Sequence, residues 1–449
     1  MESKKKFYKQ LITIAVPIAM QSMISSSVNM ADVFMIGKLG ATKLAALGLA
    51  NQIMFLMALL LYGVNSGSAV FMSQFWGKKD KESLYKVLGI ALIASIFVGI
   101  IFFAGGQFAP EFLIKIYSPD IEVINLGASY LKIVSWSYII TAISMVYGIQ
   151  LRSVGILKLG VYTSVVSLIV NIFFNYVLIF GNLGFPKLGI EGAAIATLIA
   201  RIIEMTTIVS LVYKNKYPLA CKIKEMVKID RKFLNKFIQT TAPVIANEML
   251  WALGMTGYAM VYARMSTESV AVINIVDSIA KILFTGFFGI ASATAVMIGH
   301  KIGEKEEEEA IKYAYLLGKI SVYIGIVTGV IMVIIIKPLL SFYNLEAEVY
   351  DLVVKTTYML AILTPFKSFT ATTVVGILRA GGDVKYCLIL DITALWLVGI
   401  PLVIYGGLTL GLPIYIVYGL AGSEEVIKFI FSVRRVISKK WITNLVENM

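Results

Sequence analysis

The chain runs apolar for twenty or so residues, breaks on a polar loop, and does this twelve times. The apolar segments cover about 11–37, 44–75, 87–109, 126–151, 160–181, 189–213, 236–263, 270–300, 313–337, 352–378, 386–407 and 412–433. About 20 mostly apolar residues are enough to cross a bilayer as one helix. In lipid only helices and closed barrels leave no backbone group unsatisfied, and these segments have helix length. The expected fold is therefore all-α: a polytopic membrane protein of twelve transmembrane helices. Several segments are long enough to tilt or to extend past the bilayer. Composition agrees, with 58% hydrophobic and only 15% charged residues and a mean hydropathy of +0.83, where a soluble domain averages about 25% charged. The basic start MESKKKFYKQ leads straight into a full-length segment, so no cleaved signal is expected.

The net charge of +13 would suit a nucleic-acid partner, but its placement argues for none. Basic residues gather in alternate loops. The start has Lys4, Lys5, Lys6 and Lys9, and the second loop Lys78, Lys79, Lys81 and Lys86. Later loops carry Arg152 and Lys158, a lysine-dense stretch at 214–235, Lys301, Lys305 and Lys312, then Arg379 and Lys385; Arg434, Arg435, Lys439 and Lys440 follow the last segment. The loops between are poor in them, and the ninth holds Glu346, Glu348 and Asp351. An excess of Lys and Arg marks the cytoplasmic side, which places both termini inside a cell (inner or plasma) membrane. Membrane lipid is the expected partner of these charges.

The chain repeats itself. A constant shift of 226 residues puts Pro17 on Pro243, Ala45 on Ala271, Gly63 on Gly289, Ser66 on Ser292 and Gly77 on Gly303. With one more residue, Arg152 meets Arg379 and Lys158 meets Lys385. The expected domains are an N-lobe over 1–213, a cytoplasmic linker over 214–235 and a C-lobe over 236–449, six helices in each lobe. Six is even, so the lobes share an orientation and a pseudo-symmetry axis along the membrane normal, as in some transporters. Two such lobes around a midplane cavity can open it to either side in turn. No selectivity-filter sequence and no GxxxxGK[ST] loop is present, which argues against a channel and against direct ATP coupling. One histidine, His300, and two cysteines, Cys221 and Cys387, supply neither a metal site nor a nucleophile–base pair, so an enzyme is not expected. A monomer is expected.

Charges inside the segments are few, and such groups face protein or water-filled cavities. Asp32 lies in the first segment with Gln21, Ser25 and Asn29 at i, i+4, i+8 and i+11 spacing, one polar stripe on a helix. It reads either as a cavity carboxylate or as a group near the headgroups. Arg201 and Glu204 (i, i+3), and Asp277 and Lys281 (i, i+4), pair along their helices, for mutual neutralisation or for function. Lys367 and Asp391 offer an interhelical pair. Glu248 has no base within a helical turn; it stands between Asn247 and Trp251, and Met255, Tyr258 and Tyr262 continue its face. It reads as a cation-exchanging carboxylate among aromatics or as a bundle-shaping hydrogen-bond acceptor. Asn171 and Asn175 put two amides on one face, for a polar cavity or for helix packing. Gln52 is a further candidate for the cavity wall.

Several stretches together resemble the multidrug and toxic compound extrusion (MATE) family. They are VPIAMQSMISSSVNMADVFMIGKLG with LAALGLANQ, then FWGKKDKESL and its counterpart IGHKIGEKEEEEA. YGIQLRSVGILK, GIEGAAIATLIARIIE and GILRAGGDVK complete the set. The likeness runs the full length. It implies two six-helix lobes around a cleft, exporting small organic cations in exchange for H+ or Na+, with no cofactor beyond the coupling ion. Asp32 falls on the family's first-helix coupling acid and Glu248 on the helix-7 acid of the NorM-like branch. The helix-10 acid of some NorM-like sodium sites falls on Ser368, and the helix-5 acid of the DinF-like branch on Asn175, with the preceding asparagine kept as Asn171. The resemblance leans NorM-like and leaves the ion open. Flippases of lipid-linked precursors, from the same superfamily, are the alternative; Arg201, Lys281 and Lys367 are few bases for a pyrophosphate.

Overall fold

A computed structural model of the chain describes residues 2–341 and 345–447, the side chains of 2–4, 282 and 283 excepted. In order, its helices are α1 Glu2–Gly37, α2 Ala41–Lys78, α3 Lys81–Phe108, α4 Pro110–Lys115, α5 Ile121–Val134 and α6 Trp136–Ser153. Next come α7 Lys158–Phe180, α8 Ile190–Lys214, α9 Ile223–Met226, α10 Arg231–Met265, α11 Thr267–Gly303 and α12 Glu307–Leu340. The last are α13 Ala347–Thr370, α14 Val384–Ile392, α15 Ile400–Ile404, α16 Ile414–Ala421 and α17 Ser423–Ile437. Among the described residues there is no strand, only an isolated bridge between Gly382 and Ile442.

All twelve apolar segments are helical. Among the described residues, eight helices are long and apolar enough to cross a membrane alone, and up to ten qualify if helices bent at a break count as one span. One such pair is α5 and α6, which meet at 51°. Gln239, Asn247 and Glu248 dilute the apolarity of α10. The twelfth segment is broken: α16 stops at Ala421, and α17 brings Glu424, Glu425 and Lys428 into what reads as an apolar run. Three stretches expected as plain α-helix are π-helical, at Ala371–Leu378, Thr393–Gly399 and Tyr405–Thr409. Such wide turns leave carbonyls less regularly paired and re-aim the side chains beyond them.

The chain divides into two compact units, Met20–Thr241 and Met1–Ala19 with Ala242–Met449. These limits differ from lobes cut at 213 and 236, because two helices change unit midway. The start of α1 packs with the later part of the chain: Phe7 meets Tyr313 edge-on at 4.9 Å, and Gly289 lies against the Ala15 carbonyl and Ala19. Conversely Phe233 and Phe237, at the start of α10, stack on Phe75 and Phe71 at 5.9 and 5.6 Å. Each crossing falls within two residues of Pro17 or Pro243, prolines inside their helices that forgo a backbone hydrogen bond there.

Within the Met20–Thr241 unit, Ile36, Leu47, Met57, Leu61, Tyr138 and Ala193 are shut inside one apolar core. Helices α7 and α8 lie close because Gly192 has no side chain; a Cβ there would stand 2.6 Å from the Leu178 carbonyl oxygen. This contact sets Asn171 and Asn175 against Thr197. In the other unit the core holds Val272, Val353, Leu360, Leu395, Val403 and Val417. Beyond α17 the chain folds back on the turn that follows the first π-helical run. Trp441 is fully buried against Gly381, its indole N–H bonds the Val436 carbonyl at 3.2 Å, and the Thr443 N–H bonds the Gly381 carbonyl at 2.7 Å.

Candidate functional site

Each unit gathers its own buried polar cluster. In the Met20–Thr241 unit the centre is Asp32, only 5% exposed, five residues before the end of α1 at Gly37. Its Oδ1 accepts from Asn175 Nδ2 at 2.5 Å and its Oδ2 from Thr197 Oγ1 at 3.5 Å. Asn175 Nδ2 also donates to Asn171 Oδ1 at 3.1 Å, and Asn171 Nδ2 to Thr197 at 3.5 Å. The two asparagines are fully buried and Asn175 Oδ1 has no hydrogen-bond partner. Tyr130, also buried, stands beside Asp32 and Thr197. A turn further along α8, Arg201 Nη1 bonds Glu204 at 2.6 Å and Ser167 Oγ donates to the same carboxylate at 3.4 Å. Asp32 has no ion pair among the described residues; its direct partners are amides and a hydroxyl.

The helix-1 stripe is therefore not one wet face. Asp32 points inward, Gln21 is half-buried against Gly160, and Ser25 and Asn29 are exposed, as is Gln52. The four positions keep within an arc of about 80°; α7 meets both ends of the stripe, Gln21 through Gly160 and Asp32 through Asn175, and leaves Ser25 and Asn29 between them uncovered. The pair Asn171 and Asn175 does face one polar cluster, and Arg201 and Glu204 do pair. Tyr130 and Thr197 escaped the sequence reading: neither is charged, and their spacing carries no signal.

In the other unit the sequence reading needs correction. Glu248 is not a lone carboxylate among aromatics. Its Oε1 accepts from Arg379 Nη1 at 2.7 Å, with the arginine side chain 4% and the glutamate 13% exposed. The base lies 131 residues away, at the end of the π-helical run, where local spacing cannot reveal it. Trp251 is exposed, and Tyr258 turns to Glu424 Oε2 at 3.4 Å. Asp277 and Lys281 do not pair: Lys281 is exposed and Asp277 is half-buried. Nor do Lys367 and Asp391. Asp391 accepts from Asn247 Nδ2 at 2.8 Å and sits 3.6 Å from Lys428 Nζ, while Lys367 lies over the Phe284 and Tyr418 rings, 5.8 Å from each centroid. Lys428 also reaches Glu424 at 3.6 Å, and Glu425 accepts a short bond from the Thr370 hydroxyl. Glu424, Glu425 and Lys428 were missed because they lie inside an apolar run; their one signal was the Glu424–Lys428 spacing of four. Ser368 donates to the Ser321 carbonyl at 2.7 Å and faces no carboxylate in the described contacts. Cys221 and Cys387 are free and buried.

Buried carboxylates, paired with neutral or basic partners on helices long enough to cross a bilayer, in two sequence-related halves, are the construction of a polytopic membrane transporter. The MatE family model matches residues 17–177 and 243–405, opening each time on one of the two prolines that the repeat superposes, and the chain belongs to that family. The "Uncharacterized transporter YisQ" of Bacillus subtilis (strain 168) is 26% identical over 438 residues, 96% of this chain and 94% of its own length. The "Probable multidrug resistance protein NorM" of Thermotoga maritima is 22% identical over 405 residues, 89% of this chain and 86% of its own. Among solved structures, "Crystal structure of MATE in the straight conformation" superposes with a TM-score of 0.86 at 19% identity, over 96% of both chains. "Outward-facing conformation of a multidrug resistance MATE family transporter of the MOP superfamily" gives 0.85 at 20% identity, again over 96% of both. At these identities the structures establish the fold.

Proposed function

We propose that the chain is a secondary antiporter that exports cationic or amphipathic organic compounds in exchange for H+ or Na+ by alternating access. The reading rests chiefly on Asp32. A carboxylate inside a spanning helix is costly unless it is answered by a cation, a proton or polar partners. Among the described residues the hydrogen-bonding groups around Asp32 are Asn175, Thr197 and, next to them, Asn171, all neutral. That cradle is made of oxygen and amide groups and leaves the carboxylate free to take a proton or a small hard cation. The names of the relatives support a role in drug export. Glu248 carries the same assignment only if it parts from Arg379, since it already has a cation.

The excess of Lys and Arg in alternate loops supports a cell-membrane orientation with both termini cytoplasmic. The chain is taken to work as a monomer. The test is dye efflux from proteoliposomes under an imposed pH or sodium gradient. Asp32→Asn should lower gradient-driven efflux at least about tenfold, the scale on which losing a charged partner acts, with protein yield and melting little changed. Efflux equal to the parent protein would remove Asp32 from coupling. Transport of a pyrophosphate-linked lipid without dye efflux would replace export by lipid flipping.

A further inference from the structure

The Ala242–Met449 stretch encloses a second polar space that the coupling at Asp32 does not use. It is a cavity of about 170 Å³ whose wall includes Asp277, Lys367, Glu424 and Glu425, with Tyr262 and Tyr418 as its aromatic sides. The charges around it are unevenly answered. Glu424 shares Lys428 with Asp391, and Glu425 accepts from Thr370. Asp277 has no ion pair among the described residues, and neither has Lys367, whose ammonium rests over two rings. Opposite charges thus line one cavity without closing on each other.

We propose that this cavity is a binding site for a zwitterion, a small aromatic molecule carrying an ammonium and a carboxylate. A simple organic cation entering here would meet the Lys367 ammonium, which no carboxylate among the described residues holds in an ion pair. A simple anion would meet three carboxylates. A molecule with both charges answers each side at once: its carboxylate takes the Lys367 ammonium, and its ammonium takes Asp277 and Glu425. Its ring lies between Tyr262 and Tyr418. Selectivity follows because any ligand of one sign leaves a desolvated protein charge unpaired.

The site is independent of the antiport reading, and the test uses equilibrium binding with no gradient. Protein in lipid nanodiscs is titrated calorimetrically with 4-(aminomethyl)benzoate and with the near-isosteric 4-(aminomethyl)benzamide, which keeps the ammonium and loses the negative charge. The parent protein should bind the zwitterion at least about tenfold tighter than the amide, the size of one charge-assisted hydrogen bond. Lys367→Met should erase that preference and Lys367→Arg should keep it, which separates a lost contact from a lost fold. Asp277→Asn with Glu425→Gln should weaken both ligands. Asp32→Asn should keep the preference while losing gradient-driven efflux, so the two readings fail separately. Equal affinity for the two probes, no binding of either, or a preference that survives Lys367→Met would overturn the proposal.

Discussion

Removing one partner of a buried ion pair costs more than removing both, because the survivor stays charged away from water. Glu248 and Arg379 meet at 2.7 Å with side chains 13% and 4% exposed. Glu248→Gln should therefore lower stability by about 3 kcal/mol, and adding Arg379→Gln should restore a large part of it. Thermal unfolding of the four proteins in one detergent reads this out; a double variant as weak as the sum of its parts would show that the two side chains do not act as a pair. Single residues also show where sequence reading stops. Asp32 was found because a lone acid in an apolar run is conspicuous. Its donors, Asn175 and Thr197, lie 143 and 165 residues away and reach it only through helix packing. Arg379 read as a loop charge that orients the chain, and nothing local links it to Glu248.

At the scale of helices, the contact of α7 with α8 sets the geometry around Asp32. A side chain at Gly192 would collide with the backbone of Leu178, and backbone gives way poorly. Gly192→Val should push α8 from α7, cost about 1–3 kcal/mol as overpacking does, and carry Thr197 away from the two asparagines. The expected result is reduced efflux from protein that still reaches the membrane, scored against Gly148→Val, where a Cβ meets nothing within 4 Å. Unchanged efflux from Gly192→Val would show that the α7–α8 spacing does not matter to transport. Helix positions were legible from apolar length alone, though α1, α3 and α12 begin at Glu2, Lys81 and Glu307, ahead of apolar segments that start at 11, 87 and 313, because polar residues form their first turns. The π-helical runs were not, since a wide turn changes no hydropathy. The break at Gly422 was hidden too, because the apolar residues of α16 and α17 mask three charges in a hydropathy window.

The chain as a whole carries its duplication openly, and shared glycines and prolines reveal it without any structure. The compact units were less legible, because α1 and α10 each begin in one and end in the other. Cutting the chain between 215 and 222 should therefore give two pieces that each lack part of their own packing. The first keeps Phe71 and Phe75 without Phe233 and Phe237; the second keeps Tyr313 without Phe7. Expressed alone, each should be readily digested by protease, and expressed together they should protect one another. A resistant first piece on its own would show that the aromatic stack is dispensable.

The returning stretch around Trp441 has a practical use. The sequence holds five tryptophans, and this one is wholly enclosed, its indole committed to the Val436 carbonyl. Its emission is a built-in lamp: blue while the stretch stays seated on Gly381, red once water reaches the ring. A variant keeping only this tryptophan would signal detachment at that end of the molecule in real time, with no added dye.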